Sequence, residues 1–541
     1  MRARLSLAIG LAAVALLAAV VLAWGVGGYP LYEPDEARHA EVAREMLASP
    51  TWRDWIVPQL DAAPYRNKPA PFYWLMASSF AWLGLNERAA RMVSLLSALS
   101  TVILVSLWGA RRWGPRAGTL AGLVLVTAPE FALLGRFATL DMSLTLWTTL
   151  GMLGVYRFAE RPGASLVPAA VAGALGLLAK GLLGPGFIAL VGLTWLTIRR
   201  RLRLLTFRAL APAALVFVAI VLPWHLAAGL LDPAYLRKLY VDQQLHRALD
   251  AGRRLHARPL LFYIPVLLGG FFPWSAFLPA TIRGTLWPAR RGAAEAFCAL
   301  WAGAVLIVLS FAQGKVPSYA VLAFPPLALL TSRHLGRVLA GDVSTPEASL
   351  FRGGAWVLVA VLVIAPVAVI AAGNLVYDAA LARASLWALL LPVAAAGLVA
   401  LLRWGRPAHI VLTVGGASAA LLLVFFQLVA PRLSEVHSDA QLAEVLHAAP
   451  GHADAPVVAY RLRSPSMSFY SQRPLLLYDR PRQLRALIAE HGLVFVVTSP
   501  QHVAELRASG PFVPWRVGPR RVLYATRPPP EPVDGATGAA R

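Results

Sequence analysis

Fifteen positions from Tyr32 to Met46 gather Glu33, Asp35, Glu36, Glu41 and Glu45 with Arg38, His39 and Arg44, in a chain that is otherwise strongly apolar. A carboxylate in such a setting can take a proton from an acceptor or orient it, and positioned proton transfer is worth roughly 10²–10⁴-fold in rate. Four other polar groups interrupt apolar sequence in the same way. They are Asn67-Lys68-Pro69, Asp141 within Thr139-Leu140-Asp141-Met142, the run Asp242 to Arg247 continuing to His256 and Pro259, and Gly314-Lys315-Val316-Pro317-Ser318-Tyr319. Lysine and arginine cations with a tyrosine hydroxyl form the donor set that suits a phosphate.

Each residue also has a plainer reading. Asp35, placed behind Pro34, and Asp141 both stand where a short acid can cap a helix start. From Glu36 onward, Ala37, Ala40, Glu41 and Arg44 recur at helical spacing, which fits a capped amphipathic helix on a membrane surface. Lys68, Arg247 and Lys315 can snorkel to anionic headgroups, and His246 or His256 can be an ordinary hydrogen-bonded histidine. What these readings explain badly is that all of the groups fall on one side of the topology derived below.

The elements that must position them follow from composition. The 541 residues are 58% hydrophobic and only 14% charged, against about 25% charged in a soluble domain, so the chain is read as an integral membrane protein. Lys and Arg (50) outnumber Asp and Glu (27), giving +23. The arginines sit in short loops between apolar segments, so the excess reads as membrane topology and not as a nucleic-acid surface. The lone Cys298 excludes an internal disulfide and a thiolate metal cluster. Met1-Arg2-Ala3-Arg4 before an apolar run to about Gly28 is read as an uncleaved anchor.

Apolar stretches fall near 6–28, 88–110, 117–134, 138–158, 164–180, 182–198, 209–230, 259–281, 293–312, 319–336, 353–374, 384–403 and 407–430, which predicts about thirteen spans. With the N-terminus inside, the cytoplasmic loops around Arg111–Arg116, Arg157–Arg161, Arg199–Arg203, Arg283–Arg291, Arg333–Arg337 and Arg403–Arg406 are all basic. The outer side then receives 29–87, the loop near Glu130–Thr139, the Lys180-Gly181 turn, 231–258, Gln313–Ser318 and the C-terminal segment.

The expected organisation is a transmembrane catalytic domain, 1–432, with outer loops at 29–87 and 231–258, an outer α/β domain, 433–527, and a disordered tail, 528–541. Surface-lying helices are expected in 29–87, carrying Trp52, Trp55, Tyr65, Phe72, Tyr73 and Trp74 at the interface. In the C-terminal domain the apolar runs at 457–460, 475–478, 493–498 and 521–525 read as strands, and 438–448, 481–491 and 500–509 as helices.

The ordered motifs Tyr32-Glu33-Pro34-Asp35-Glu36-Ala37-Arg38, Asn67-Lys68-Pro69, Thr139-Leu140-Asp141-Met142, Ala179-Lys180-Gly181 and Lys315-Val316-Pro317-Ser318-Tyr319 resemble those of the dolichyl-phosphate-mannose protein mannosyltransferase superfamily, and most closely the bacterial aminoarabinose (lipid A) transferases. The resemblance covers the whole chain. It implies the GT-C fold, a polytopic α-helical membrane protein with outer-side surface helices and a small C-terminal α/β domain, and a glycosyltransferase using a polyprenyl-phosphate-linked sugar donor. Asp35 matches the first-loop acid of the family and Arg38 the arginine beside it, while Lys68, Arg247 and Tyr319 match residues holding the carrier phosphate. Asp141 matches a second cavity acid, and Glu36, Asn67, Lys180 and Lys315 are further cavity candidates, with no role assigned to Lys180. In the aminoarabinose transferases a glutamate precedes the lysine where this chain has Asn67, and that glutamate resembles part of a divalent-metal site. Its loss weakens both the metal, with His256 as the candidate ligand, and aminoarabinose as the sugar.

The reaction implied is an inverting displacement at the anomeric carbon, with polyprenyl phosphate leaving. Lys68, Arg247 and Tyr319 would stabilise the departing phosphate, and Asp35 would act as base or orient the acceptor. Acceptors in view are lipid A or another envelope glycan, a glycolipid, or a protein, at the outer face of the bacterial cytoplasmic membrane. A lipid-linked-sugar flippase is a rival class, disfavoured because midplane polar residues and an inverted repeat are lacking, and a non-catalytic envelope scaffold is a third.

Overall fold

The structure, a computed structural model, describes residues 2–246, 258–286, 292–376, 385–404, 407–518 and 520–529. In chain order its elements begin with α1 (Arg2–Ala23), α2 (Asp35–Ala48), α3 (Arg53–Ile56), the strand pair β1 (Gln59–Leu60) and β2 (Ala63–Pro64), α4 (Pro71–Leu83), α5 (Glu87–Trp113), α6 (Pro115–Val126) and α7 (Pro129–Gly135). They continue with α8 (Leu140–Glu160), α9 (Val167–Lys180), α10 (Leu183–Ile198) and α11 (Phe207–Leu231). Two compact units result: one of Met1–Val26, Arg66–Phe72 and Arg91–Val429, the other of Gly27–Tyr65, Tyr73–Ala90 and Ala430–Arg541.

The first unit is helical. Each of the apolar stretches read from the sequence carries helix, and among the described residues five helices are long and apolar enough to cross a membrane, or seven if two bent pairs each count as one span. Shorter apolar helices include Val167–Lys180 and Leu183–Ile198. Two stretches expected to be single spans are broken. Helices α6 and α7 meet at 72°, where Ala128 is extended and Pro129 has no N–H to continue the ladder. Leu260–Gly270 and Trp274–Thr285 meet at 109°, around Pro273. Phe207, Leu215 and Leu230 on α11 are left exposed, the surface a helix presents to lipid.

Close helix approach in this unit uses small residues. A Cβ on Gly154 of α8 would lie 3.1 Å from the backbone nitrogen of Ala169 in α9, so glycine is what lets these two helices run together. Helix α9 ends at Gly181, whose φ of +100° lies in the region glycine favours, and α10 begins two residues later.

The second unit contains α2, the β1–β2 hairpin and most of α4, together with a five-stranded sheet built from β3 (Val457–Tyr460), β4 (Leu476–Tyr478), β5 (Phe495–Thr498), β6 (Val513–Val517) and β7 (Val522–Ala525). Its order is β4-β3-β5-β7-β6, with β3 parallel to β4 and β5, and β7 antiparallel to β5 and β6. β3, β5 and β7 are buried along their whole length, as their continuous apolar sequences require. Within 433–527 the helix Pro465–Ser471 and β6 went unread in the sequence, as did the β1–β2 hairpin earlier in the chain. Pro514 masks β6, which tolerates it because it is an edge strand.

Candidate functional site

The polar residues of the first unit converge where helix ends meet. Thr139 caps α8, its hydroxyl accepting from the Asp141 N–H at 3.3 Å, so Asp141 is not the cap that its position suggested. Freed of that role, its carboxylate takes a hydrogen bond from the Thr139 hydroxyl at 2.8 Å through Oδ2 and is ion-paired to Lys180 through Oδ1. Both side chains are buried, 8% and 7% exposed. The acid lies in the first turn of α8 and the lysine in the last turn of α9, so each charge faces the favourable end of its own helix. The Lys180 ammonium also lies 4.5 Å from the centre of the Tyr319 ring.

Lys68, Lys180 and Tyr319 line one cavity of about 400 Å³. Gln243, Gln244 and Gly314 complete its polar lining, and its remaining wall is apolar, with Leu182, Leu183, Phe187, Leu190, Val308 and Leu309. The segment carrying Lys68 is held by an ion pair from Arg66 to Asp232 at 2.5 Å and by the Tyr235 hydroxyl, which donates to the Lys68 carbonyl at 2.7 Å. Gln244 secures the opposite lip, its Oε1 accepting from the Leu182 N–H at 2.8 Å. Asn67 is half-buried beside Lys68. Lys315 turns its buried ammonium to the carbonyls of Ala312 and Arg258, at 2.7 and 3.2 Å. Arg247 and His256 lie outside the described residues.

The remaining candidates belong to the second unit. Asp35 is the first residue of α2 and makes no capping bond there; its exposed carboxylate pairs with Arg38 one turn on. Burial works against the charge of Arg38, but Tyr65, Asp35, Tyr73 and Glu33 outweigh it and hold the guanidinium firmly protonated. Glu36 is buried and accepts from the Tyr32 N–H at 2.9 Å, and His39 shares a 2.9 Å bond with the Tyr73 hydroxyl. Burial raises Glu33, which accepts from the Ser466 N–H at 2.5 Å and faces Arg521 at 3.4 Å.

A further acidic group was not foreseen. Glu41, Glu45 and Asp61 bring carboxylate oxygens within 4.8 Å of one another. Their oxygens are largely taken: Arg44 grips Glu41 with two 2.7 Å bonds, Glu45 accepts from the Asp61 and Ala62 N–H groups, and Asp61 Oδ1 accepts from the Ser468 hydroxyl at 2.6 Å. Burial pushes Glu41 up to about 8 and raises Glu45 and Asp61. A guanidinium bound to both oxygens of Glu41 is a poor neighbour for a divalent cation. At the position where the resemblance implies a metal, Asn67 offers a neutral amide in place of a carboxylate, and His256 lies outside the described residues.

Comparison with known proteins gives a class and then particular relatives. The family model described as dolichyl-phosphate-mannose-protein mannosyltransferase matches residues 67–226. A crystal structure of ArnT from Cupriavidus metallidurans bound to undecaprenyl phosphate aligns with TM-score 0.79 at 22% identity, covering 96% of this chain and 98% of that one. The oligosaccharyltransferase AglB from Archaeoglobus fulgidus aligns with TM-score 0.50 at 12% identity, covering 92% and 69%. The chain is thus a polytopic helical membrane protein with the GT-C fold.

Among similar sequences, undecaprenyl phosphate-alpha-4-amino-4-deoxy-L-arabinose arabinosyl transferases from Edwardsiella ictaluri and Pseudomonas aeruginosa are 33% and 32% identical over 320 and 319 residues. Those matches cover 58% and 57% of this chain, and about half the length of the relatives, 56% in each case. The resemblance to the aminoarabinose transferases that the motifs carried is therefore found again by comparison over more than half of the chain.

Proposed function

We propose that the chain is a membrane glycosyltransferase that moves a sugar from a polyprenyl-phosphate-sugar donor to an acceptor at the outer face of the cytoplasmic membrane, with inversion at the anomeric carbon. The observation that carries this reading is the cavity lined by Lys68, Lys180, Tyr319, Gln243 and Gln244 together with leucine, valine and phenylalanine side chains. A polyprenyl phosphate needs that pairing of cationic donors and apolar lining. Its departure from the sugar leaves charge on the phosphate, and Lys68 with the Tyr319 hydroxyl supplies donors for it in a partly dry setting. Lys180 is held by Asp141, so its position is fixed before the carrier arrives.

About thirteen spans, with the cavity opening to the periplasmic side and the 433–527 segment outside, is the topology that the basic loops support. Asp35 is assigned to the acceptor, as base or as orienting group, with Arg38 holding it through their ion pair. No step is routed through a metal, since Asn67 leaves the implied ligand set incomplete. Lipid A or another envelope glycan is the acceptor class that the motif resemblance implies, and the description of the matching family model makes a protein acceptor the second reading.

The test is transfer of radiolabel from a panel of undecaprenyl-phosphate sugars onto membrane lipids, glycans and proteins by the purified protein and its Asp35→Asn and Lys68→Ala variants. Label moved by the wild type, lost in Asp35→Asn and reduced in Lys68→Ala, is the expected result. Full transfer by Asp35→Asn removes that residue from the mechanism, and no transfer from any donor removes the reading.

A further inference from the structure

Tyr319 lines the cavity from a turn whose own residues do little to fix it. It lies in the short 3-10 helix Pro317–Ala323, which opens on a proline without an N–H, and the preceding Val316 is extended and caps nothing with its side chain. The Val316 carbonyl accepts the Tyr319 N–H at 3.2 Å, so the backbone of Val316 sets where Tyr319 stands. Val316 in turn is held from a distant part of the chain. The Tyr263 hydroxyl donates to its carbonyl at 3.0 Å and accepts from its N–H at 3.3 Å, spending both of its hydrogen-bonding roles on one residue. Tyr263 opens the helix Tyr263–Gly270, is buried, and is not one of the residues lining the cavity.

A hydroxyl that meets charge developing on a departing phosphate must be in place before that charge appears, and a misplacement of about 1 Å can cost on the order of 10²-fold in rate. Two contacts hold Tyr319. The Lys180 ammonium, 4.5 Å from the centre of its ring, fixes the side chain, and Tyr263 fixes the backbone through Val316. Removing the Tyr263 hydroxyl takes away the acceptor of the Val316 N–H, and the turn shifts to find another because a buried N–H left unpaired is costly. The shift is passed to Tyr319 through the 3.2 Å bond that joins the two residues.

We propose that Tyr263 is a positioning residue for the transfer reaction: its hydroxyl, bonded to both backbone groups of Val316, aims the Tyr319 hydroxyl at the carrier phosphate. The inference rests on the donor reading above, and it gives a part in the reaction to a side chain that itself stays outside the cavity. Tyr263 therefore acts only through Tyr319, and its effect depends on the Tyr319 hydroxyl being present.

The experiment is a double-mutant cycle on the full chain in lipid nanodiscs, with wild type, Tyr263→Phe, Tyr319→Phe and the double variant. Two quantities are measured for each: affinity for undecaprenyl phosphate, and kcat and KM for transfer from the undecaprenyl-phosphate sugar that the wild type uses. Tyr263→Phe is expected to weaken carrier binding by roughly 3- to 10-fold, as one misaligned hydrogen bond does, and to lower kcat by roughly 10- to 100-fold. In the Tyr319→Phe background the same substitution is expected to change either quantity by no more than about twofold. A tyrosine that only stabilised the fold would cause equal losses in both backgrounds, and that result overturns the inference, as does a Tyr263→Phe protein with wild-type affinity and kcat. Coupled losses of carrier affinity in a wild type that transfers no sugar would uphold the positioning role while removing the transferase reading. A wild type that does not bind the carrier removes both.

Discussion

Lys180 at the end of α9 is ion-paired with Asp141 at the start of α8, and the same ammonium lies over the ring of Tyr319. One buried cation thus joins two helix ends and the segment that opens the next polar stretch. Breaking a buried pair from one side leaves an uncompensated charge, a loss of about 3–5 kcal/mol. Lys180→Met and Asp141→Asn are therefore each expected to lower thermal stability in detergent markedly, and the Asp141→Asn/Lys180→Met double variant to recover most of it. A double variant as unstable as the sum of the two single ones would show that the residues act separately.

Two lysines near the cavity should behave differently. Lys68 lines it, while the Lys315 ammonium is spent on the Ala312 and Arg258 carbonyls. Lys68→Ala is expected to weaken binding of undecaprenyl phosphate by roughly 10- to 100-fold. Lys315→Ala is expected to leave that affinity within about threefold and to lower the melting temperature instead, because two buried carbonyls lose their donor. Titration of nanodisc-held protein with the carrier lipid, alongside thermal unfolding, separates the two outcomes.

Much of this corner was legible in the sequence, and its omissions have physical causes. An acid and a lysine interrupting apolar runs on the same side of the topology marked Asp141 and Lys180, yet their partnership was invisible because 39 residues and a helix hairpin separate them. The Lys180-Gly181 turn had no assigned role until Gly181 was seen in a positive-φ conformation ending α9. Asp141 suggested a cap, but Thr139 stood two residues earlier and its hydroxyl already served that need. Glu130 read as part of a loop, and only the bend at Ala128-Pro129 turns it against Gly270. In the second unit helical spacing placed Glu41 and Arg44 on one face of α2, whereas Asp61 joins them through the β1–β2 turn, which no periodicity signals.

The Glu41, Glu45 and Asp61 group makes stability depend on pH. Burial raises all three, Glu41 to about 8, so the folded state holds protons that the unfolded chain releases near the ordinary carboxylate range. The sign follows from linkage: the stabilisation is fully present below about pH 4.5 and is lost as pH rises through 8. A melting temperature falling between pH 5 and 9, with the slope flattened in Glu41→Gln, is the expected result, checked by differential scanning fluorimetry across that range. An unchanged slope in Glu41→Gln would place the titrating group elsewhere.

Arg521 closes the second unit on itself. Its guanidinium pairs with Asp439, donates to the Ser464 hydroxyl at 2.6 Å and faces Glu33 at 3.4 Å, so residue 33 and the strand segment near 521 are held by one side chain despite their distance in sequence. Asp439 and Glu33 are 7% and 8% exposed, and neither can be rehydrated easily when the cation goes. Arg521→Met is therefore expected to leave two buried acids uncompensated and to destabilise this unit by about 3–5 kcal/mol. Because the first unit keeps its own contacts, the loss should appear locally, as faster limited proteolysis within 433–527 with undiminished protection of the helices between 91 and 429. Arg521→Lys retains the charge without the forked donor geometry and should fall between the two. Proteolysis at the wild-type rate in Arg521→Met would mean that the sheet and its helices hold the segment without this clasp.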